Sequence, residues 1–245
     1  MANWSDPRSD IAGFGGATAA RSEAFDAGMR RYMLSVYNYM ASGVLLTGVV
    51  ALLFASSGMA YQVLAGPGIL KYVIMFAPLA FVMVLSFGIN KLSTVTAQAL
   101  YWAYAAVMGL SLSSIFLVYT GTSIAQTFFA TAAAFAGLSL FGYTTKKDLS
   151  GFGTFLIMGV VGLLVASLIN IFLKSSVMDL VISGVGVLLF AGLTAYDTQK
   201  IKSIYAQVAG TEMMGKSVVM GALNLYLDFI NMFLFLLRFM GGNRN

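Results

Sequence analysis

Two aspartates stand inside long apolar stretches of the sequence. Asp197 follows Tyr196 near the end of one apolar run, and Asp228 lies within residues 222–237, which contain no other charged residue. An ionised aspartate at the centre of a membrane helix costs about 2.5 to 3.5 kcal/mol on insertion scales. Acidic residues at such depth are functional candidates by default.

The spacing of the two aspartates predicts that they face each other. No Gly or Pro follows Asp197 until Gly210, so its helix can continue to about Tyr205. The two aspartates then differ in depth by about one helical turn. Helices joined by a short loop are usually antiparallel neighbours. Desolvation and repulsion disfavour two buried charges of the same sign, so the pair is expected to share one proton and to sense pH.

Local pairing could also account for each acid. Asp197 could pair with Lys200 at i+3, and Asp228 could hydrogen-bond Asn224 or Asn231 on its own helix face. Lys91 is the nearest candidate cation for the pair. Its stem could reach inward to a carboxylate or outward to the membrane interface.

Seven apolar runs must position these residues. The chain has 245 residues, of which 59% are hydrophobic and 9% charged, too apolar a composition for a water-soluble globule. Each run is long enough to cross a bilayer as a helix, and the runs are too continuous for barrel strands. They predict an all-α integral membrane protein, a seven-transmembrane helix bundle with spans at residues 33–55, 72–90, 97–119, 124–143, 154–173, 177–196 and 218–239.

The composition excludes several kinds of chemistry. The chain contains no Cys and no His, which removes disulfides, thiol nucleophiles, imidazole bases and the usual zinc sites. No catalytic residues, metal site or cofactor are predicted. The net charge of +5 comes from Lys and Arg that lie mainly between the apolar runs, so we expect no binding to nucleic acid. Their distribution places the amino terminus in the cytoplasm and the carboxyl terminus outside.

The chain divides into three parts. Residues 1–30 carry seven charges without apolar periodicity and are expected to form a solvated cytoplasmic tail without regular structure. The first apolar run begins at Met33 and is long enough to span, so it is not the core of a secretory signal. Residues 31–240 form the transmembrane domain, and residues 241–245 form a short tail.

Three motifs resemble a known family. The sequence TKKDLS around Lys146 to Leu149, AYDTQKI around Asp197, and LNLYLDFINMFLFLLRF around Asp228 are similar to motifs of the transmembrane Bax inhibitor motif family in its bacterial form. The resemblance covers residues 25–240. The last motif is the most specific, because a generic apolar helix would not reproduce the spacing of its polar residues.

The resemblance implies a cation leak channel in the bacterial inner membrane, chiefly for Ca²⁺, whose permeability depends on pH. Asp197 and Asp228 match the paired aspartates of that family. Lys91 falls where bacterial relatives carry an arginine that latches the pair, although lysine lacks the planar fork of arginine. The polar residues of the motifs, expected to support the pair, are Tyr196, Asn224, Tyr226 and Asn231. Some bacterial relatives are linked to a membrane protease, a possible partner, and eukaryotic members to suppression of cell death.

Two other functions fit parts of the pattern. An intramembrane aspartyl protease also has a Tyr-Asp pair followed by a second acid. Here, however, the second acid stands in Leu225-Tyr226-Leu227-Asp228 instead of Gly-x-Gly-Asp, and no proline follows Pro78. We therefore do not predict an enzyme. The remaining alternative is a regulatory membrane protein that acts through partners without transport.

Overall fold

The computed structural model describes the backbone of residues 8–242 and the side chains of residues 22–242. Over this part the chain is a bundle of α-helices, with one π-helical turn at Tyr61–Ala65. In chain order the helices are α1 (Arg8–Ser56), α2 (Leu70–Gly88), α3 (Thr94–Leu112), α4 (Ile115–Val118), α5 (Gly121–Thr144), α6 (Ser150–Leu173), α7 (Ser176–Val208) and α8 (Met213–Met240).

Seven segments of the described chain are long and apolar enough to cross a membrane. They are Ser22–Ser56, Leu70–Gly88, Thr94–Val118, Gly121–Thr144, Ser150–Leu173, Ser176–Val208 and Met213–Met240. The third segment combines α3 and α4. The prediction of an all-α, seven-span membrane bundle is therefore confirmed. Each predicted apolar run lies within or close to one of these segments.

Capping residues and one glycine set several helix boundaries. Ser93, Thr120 and Ser175 each accept a hydrogen bond from the backbone N–H three residues later, at the starts of α3, α5 and α7. Gly210 has φ +74°, a left-handed conformation that suits glycine, in the short connection between α7 and α8. As predicted, α7 continues past Asp197. It ends at Val208, slightly beyond the expected Tyr205.

The first helix corrects one expectation. It begins at Arg8, so the described backbone from residue 8 to residue 30 is helical, whereas the composition predicts no regular structure there. Tertiary contacts account for the last turns of this segment. The Phe25 ring lies 5.1 Å from the Tyr205 ring, and the Tyr205 hydroxyl lies directly beside Gly28. Residues 1–7 and 243–245 lie outside the described residues.

Helix α8 occupies the centre of the bundle. It packs against α1, α3, α5 and α7, and its apolar core is far more buried than that of the other segments. Fully buried side chains such as Leu223, Tyr226 and Met232 surround the helix axis. Consequently, a side chain on the buried face of α8, such as that of Asp228, is separated from both lipid and water.

The two ends of the bundle differ in their contacts. The connection between α7 and α8 lies near the amino-terminal part of α1 and the connections that follow α2 and α5. Gly28 meets Tyr205, Lys216 Nζ lies 3.5 Å from the Asn90 carbonyl, and Gln199 accepts a hydrogen bond from Leu149 N–H. We call this the turn end and the opposite side the far end. At the far end, Arg238 and Asp179 form an ion pair at 3.0 Å.

Candidate functional site

Asp197 and Asp228 lie side by side between α7 and α8. Their carboxyl groups are within hydrogen-bonding reach of each other and interact electrostatically. The antiparallel helices place Asp197 about 17 Å and Asp228 about 23 Å along the axis from the turn end, a difference of about one helical turn. Asp228 is only 4% exposed, and Asp197 is half-buried. The structure thus brings together the two acids on which the sequence analysis centred.

The proximity of the two carboxyl groups suits a shared proton. A carboxylate can only accept hydrogen bonds, so two carboxyl groups can bond each other only when one of them is protonated. Oδ2 of Asp228 is buried and has no hydrogen-bond partner within the described part of the chain. An orphaned acceptor in an apolar interior is costly when charged. The arrangement can therefore hold one shared proton.

The local asparagines do not satisfy Asp228. Asn231 donates its side-chain N–H to the Leu227 carbonyl at 2.8 Å, one turn earlier on α8. Asn224 is half-buried and makes no side-chain hydrogen bond to another described residue. The alternative in which these asparagines alone compensate the acid therefore has no support in the described contacts.

Lys200 is the cation that attracts Asp197, as the local-pairing alternative predicts. The attraction acts over a distance, because the described side chains show no ion pair between the two residues. The ammonium group of Lys200 lies 5.8 Å from the centre of the Tyr196 ring. The local pairing is thus electrostatic and leaves Asp197 free to face Asp228.

Lys91 is not brought to the aspartates. It is exposed in the turn after α2 and makes no ion pair with either acid among the described side chains. The reason is topological, since α2 packs chiefly on α3 and not on α7 or α8. The predicted latch contact is therefore absent from this arrangement of the helices.

Tyr226 anchors α8 two residues before Asp228. Its hydroxyl lies 2.7 Å from Thr47 Oγ1, and Thr47 donates its own proton to the Ala105 carbonyl at 2.8 Å. A hydroxyl has one proton, so Tyr226 must be the donor to Thr47. The chain of hydrogen bonds joins α8, α1 and α3. Sequence reasoning missed Thr47, because a single threonine in an apolar helix carries no distinctive signal.

Polar contacts also hold α5 and α6 against α7. Thr198, next to Asp197, donates to Ser139 on α5 at 3.3 Å, and both side chains are buried. The Gln199 side chain accepts from Leu149 N–H at 2.9 Å and donates to the Lys147 carbonyl at 2.8 Å. These contacts join the TKKDLS segment to the AYDTQKI segment. Sequence reasoning did not single out Ser139, Thr198 or Gln199.

Tyr196 has a packing role. Its ring lies against Gly153 on α6, where an added Cβ atom would clash with the ring.

Asp148 lies in the connection between α5 and α6. It accepts hydrogen bonds from the Ser150 hydroxyl and backbone N–H, at 2.5 and 2.9 Å. These bonds lower the pKa of Asp148 below its ordinary value. Asp148 thus binds Ser150, the first residue of α6, and does not contribute to the buried pair.

The described residues contain no group of three or more His, Cys, Asp or Glu side chains that could hold a metal ion. Two carboxyl groups alone form an incomplete site for Ca²⁺, which takes six to eight oxygen ligands.

Comparisons with known proteins agree on one family. The family model described as "Inhibitor of apoptosis-promoting Bax1" matches residues 29–245. The chain is 48% identical over 229 residues to uncharacterized protein RP147 of Rickettsia prowazekii, covering 93% of this chain and 96% of the relative. It is 47% identical over 220 residues to inner membrane protein YbhL of Escherichia coli K12, covering 89% and 94% of the two chains. By these matches and by its seven apolar helices, the chain belongs to the Bax1-I, or Bax inhibitor-1-like, family of membrane proteins.

Proposed function

We propose that this protein is a pH-sensitive cation leak channel, with Ca²⁺ as its main permeant ion and the Asp197–Asp228 pair as its gate. The observation that carries the proposal is the juxtaposition of two carboxyl groups in the interior of the bundle, one of them with an unpartnered oxygen. The similarity to inner membrane protein YbhL supports a location in the bacterial inner membrane. The excess of Lys and Arg at the turn end supports a cytoplasmic amino terminus.

The gate acts through the packing of α7 and α8. With one shared proton, the pair joins the two helices and carries a single negative charge. Without that proton two like charges face each other in an apolar interior, and with a second proton the pair is neutral. Each state has a different interaction energy across the helix interface. The protonation state therefore shifts the population of closed and leaky arrangements.

Lys91 is assigned no contact in the arrangement described. A latch by Lys91 would require a leaky or intermediate arrangement in which the end of α2 moves toward α7. Lys200 supplies the nearer positive charge to Asp197. Its attraction stabilises the charged form of Asp197 when the two carboxyl groups separate.

The test is Ca²⁺ flux into proteoliposomes made with the purified protein, measured across a range of pH. The variants are Asp197→Asn, Asp228→Asn and both together. Asp26→Asn is the matched control, because Asp26 is an exposed acid on α1. The wild type and the control are expected to show the same pH-dependent flux. The double variant is expected to show a flux that no longer changes with pH.

Two results would contradict the proposal. A pH dependence that survives the double substitution would remove the gate from these residues. An absence of flux from the purified wild type at every pH would favour a regulatory protein that acts only through partners. Such a partner, including a membrane protease, would then have to be captured from the native membrane.

A further inference from the structure

A large groove opens on the lipid-facing side of the bundle between α1 and α5. Its volume is about 730 Å³, within the range of small-molecule sites. Its walls come from apolar residues of α1 and α5, and its floor includes Phe229 of α8. The described helices α1 and α5 do not pack closely on each other, which leaves the groove open toward the membrane. The proposed leak mechanism makes no use of it.

Positive charge lies at one end of the groove. Arg30 lines the groove at the turn end, is exposed, and forms no ion pair among the described side chains. Tyr143 lines the same end from α5. Lys202 Nζ contacts Tyr143 by donating to its carbonyl at 2.8 Å, and lies 4.9 Å from its ring centre. Arg30 therefore lines this end of the groove, and Lys202 lies behind Tyr143 at the same end.

The acidic residues near the turn end of the groove form no ion pair with Arg30 in the described structure. A smaller adjoining hollow of about 370 Å³ contains Glu23 and Asp26 together with Arg30 and Arg31. Neither acid lies within ion-pair distance of Arg30 in the described structure. The guanidinium group of Arg30 thus remains available to a ligand that carries a negative charge.

We propose that the groove binds one anionic phospholipid from the leaflet at the turn end. The acyl chain would lie along the apolar walls, and the phosphate headgroup would meet Arg30 with additional attraction from Lys202. The chemistry of the groove supports this assignment. The groove is apolar along its walls and has Arg30 at one end, and an anionic phospholipid is apolar along its acyl chains and negative at one end. Arginine binds phosphate through paired N–H groups and is favoured in such contacts.

The inner end of the groove contacts the aspartate pair through neighbouring residues. Ser139 lines the groove and accepts the hydrogen bond of Thr198, which follows Asp197. Phe229, on the floor, follows Asp228 and packs against Phe135 at a ring distance of 5.6 Å. A lipid in the groove would therefore contact Phe229, which follows Asp228, and Ser139, whose hydrogen-bond partner Thr198 follows Asp197. The binding proposal does not depend on the leak function.

Native mass spectrometry of the purified protein with added phosphatidylglycerol or phosphatidylcholine tests the proposal. The wild type is expected to retain one phosphatidylglycerol molecule in preference to phosphatidylcholine. Arg30→Gln should weaken phosphatidylglycerol binding about fivefold, the effect typical of one basic residue at an anionic lipid. Arg31→Gln is the matched control, because Arg31 is exposed, carries the same charge and does not line the groove. It should change the binding much less.

A second pair of variants tests whether the lipid needs an open groove. Ala136 lines the groove, whereas Ala134 is equally exposed on α5 but does not line it. Ala136→Phe should abolish the retained lipid, and Ala134→Phe should leave it in place. Thermal unfolding of both variants checks that they fold. Arg30→Gln keeps the test valid if Ala136→Phe does not fold.

Three results would overturn the proposal. Equal weakening by Arg30→Gln and Arg31→Gln would indicate attraction to surface charge in general. Retained lipid in a folded Ala136→Phe protein would place the lipid elsewhere. A wild-type dimer that Ala136→Phe converts to a monomer would identify the groove as an interface between two copies of the chain.

Discussion

The hydroxyl of Tyr226 donates a hydrogen bond to Thr47, and this bond joins the central helix α8 to α1 within the apolar interior. The oxygen–oxygen distance is 2.7 Å, and both side chains are buried. Thr47 in turn donates to the Ala105 carbonyl of α3. Three helices are thereby fixed in register only two residues away from Asp228.

Removal of this hydroxyl should destabilise the bundle. We expect Tyr226→Phe to lower the free energy of unfolding by about 1 kcal/mol, as is typical of interhelical hydrogen bonds in membrane proteins. Denaturant unfolding in detergent micelles measures the change. Tyr61→Phe is the control, since Tyr61 is exposed and makes no side-chain hydrogen bond among the described residues. Equal stability of the two variants would mean that the bond contributes nothing.

The close approach of α5 and α7 depends on a residue without a side chain. A Cβ atom on Gly142 would clash with the Ala195 carbonyl oxygen of α7, a backbone atom that cannot rotate away. Gly142→Ala should therefore lower the free energy of unfolding by about 1 to 3 kcal/mol, the usual cost of overpacking. Thermal unfolding in detergent measures it.

Gly137 provides the control on the same helix. It has no atom within 4 Å of an added Cβ, so Gly137→Ala should be neutral or slightly stabilising through helix propensity. If Gly142→Ala were as stable as Gly137→Ala, the helices would have to separate there at no cost. Their tight packing beside Asp197 would then not be a constraint on the gate.

The stability of the α5–α6 loop should depend on the charge of Asp148. Hydrogen bonds from Ser150 lower the pKa of this carboxyl group in the folded protein. Their stabilising effect is therefore complete above the ordinary pKa of an aspartate, and it is lost as the pH falls through the lower folded value. We expect Asp148→Asn to lower the unfolding temperature at neutral pH.

The same substitution should have no effect in acid. Once the pH falls below the lowered pKa of Asp148 in the folded protein, the wild-type carboxyl group is protonated, so the difference between the two proteins should shrink toward zero. Unfolding temperatures of both proteins over a series of pH values measure this convergence. A constant difference at all pH values would show that the amide disturbs the loop by its shape and not by its lack of charge.

Replacement of a buried acid by an apolar side chain should separate stability from gating. Asp228 is enclosed in the core, and one of its oxygens has no hydrogen-bond partner in the described structure. Asp228→Leu replaces that unsatisfied group with an apolar one, so the unfolding temperature should not fall. The same variant should lose the pH dependence of Ca²⁺ flux. A large loss of stability would instead assign the aspartate a structural role.

The orientation in the membrane can be measured directly, because the sequence has no cysteine. Single-cysteine variants Glu212→Cys at the turn end and Gly68→Cys at the far end both alter exposed positions. In intact cells a membrane-impermeant maleimide should label Gly68→Cys. It should reach Glu212→Cys only after permeabilisation. The reverse pattern would place the amino terminus outside.

The sequence was sufficient to predict the seven spans and the facing acids, because both signals are large. A run of about 20 apolar residues matches the thickness of a bilayer as a helix, and a charge within such a run is conspicuous. Thr47, Ser139 and Thr198 could not be predicted, since single small polar residues are common in membrane helices. Their partners are also more than 50 positions away along the chain.

The two corrections have the same cause. The helix that contains residues 8–30 is held in part by the contact of Phe25 with Tyr205, which no local pattern reveals. Lys91 is at the turn end, as expected, but α2 lies beside α3 and so keeps it away from the acids. For the turns around Phe25 and for Lys91, the neighbour in space, and not the local composition, decides the outcome.

The central position of α8 has a consequence for biogenesis. Helix α8, which packs against α1, α3, α5 and α7, leaves the ribosome after the other described helices. Until α8 is inserted, the faces of the earlier spans that contact it, including the Thr47 hydroxyl, are expected to be covered by lipid or by other proteins. We therefore expect a chain cut before Met213 to reach the membrane but to lack the helix on which α1, α3, α5 and α7 pack.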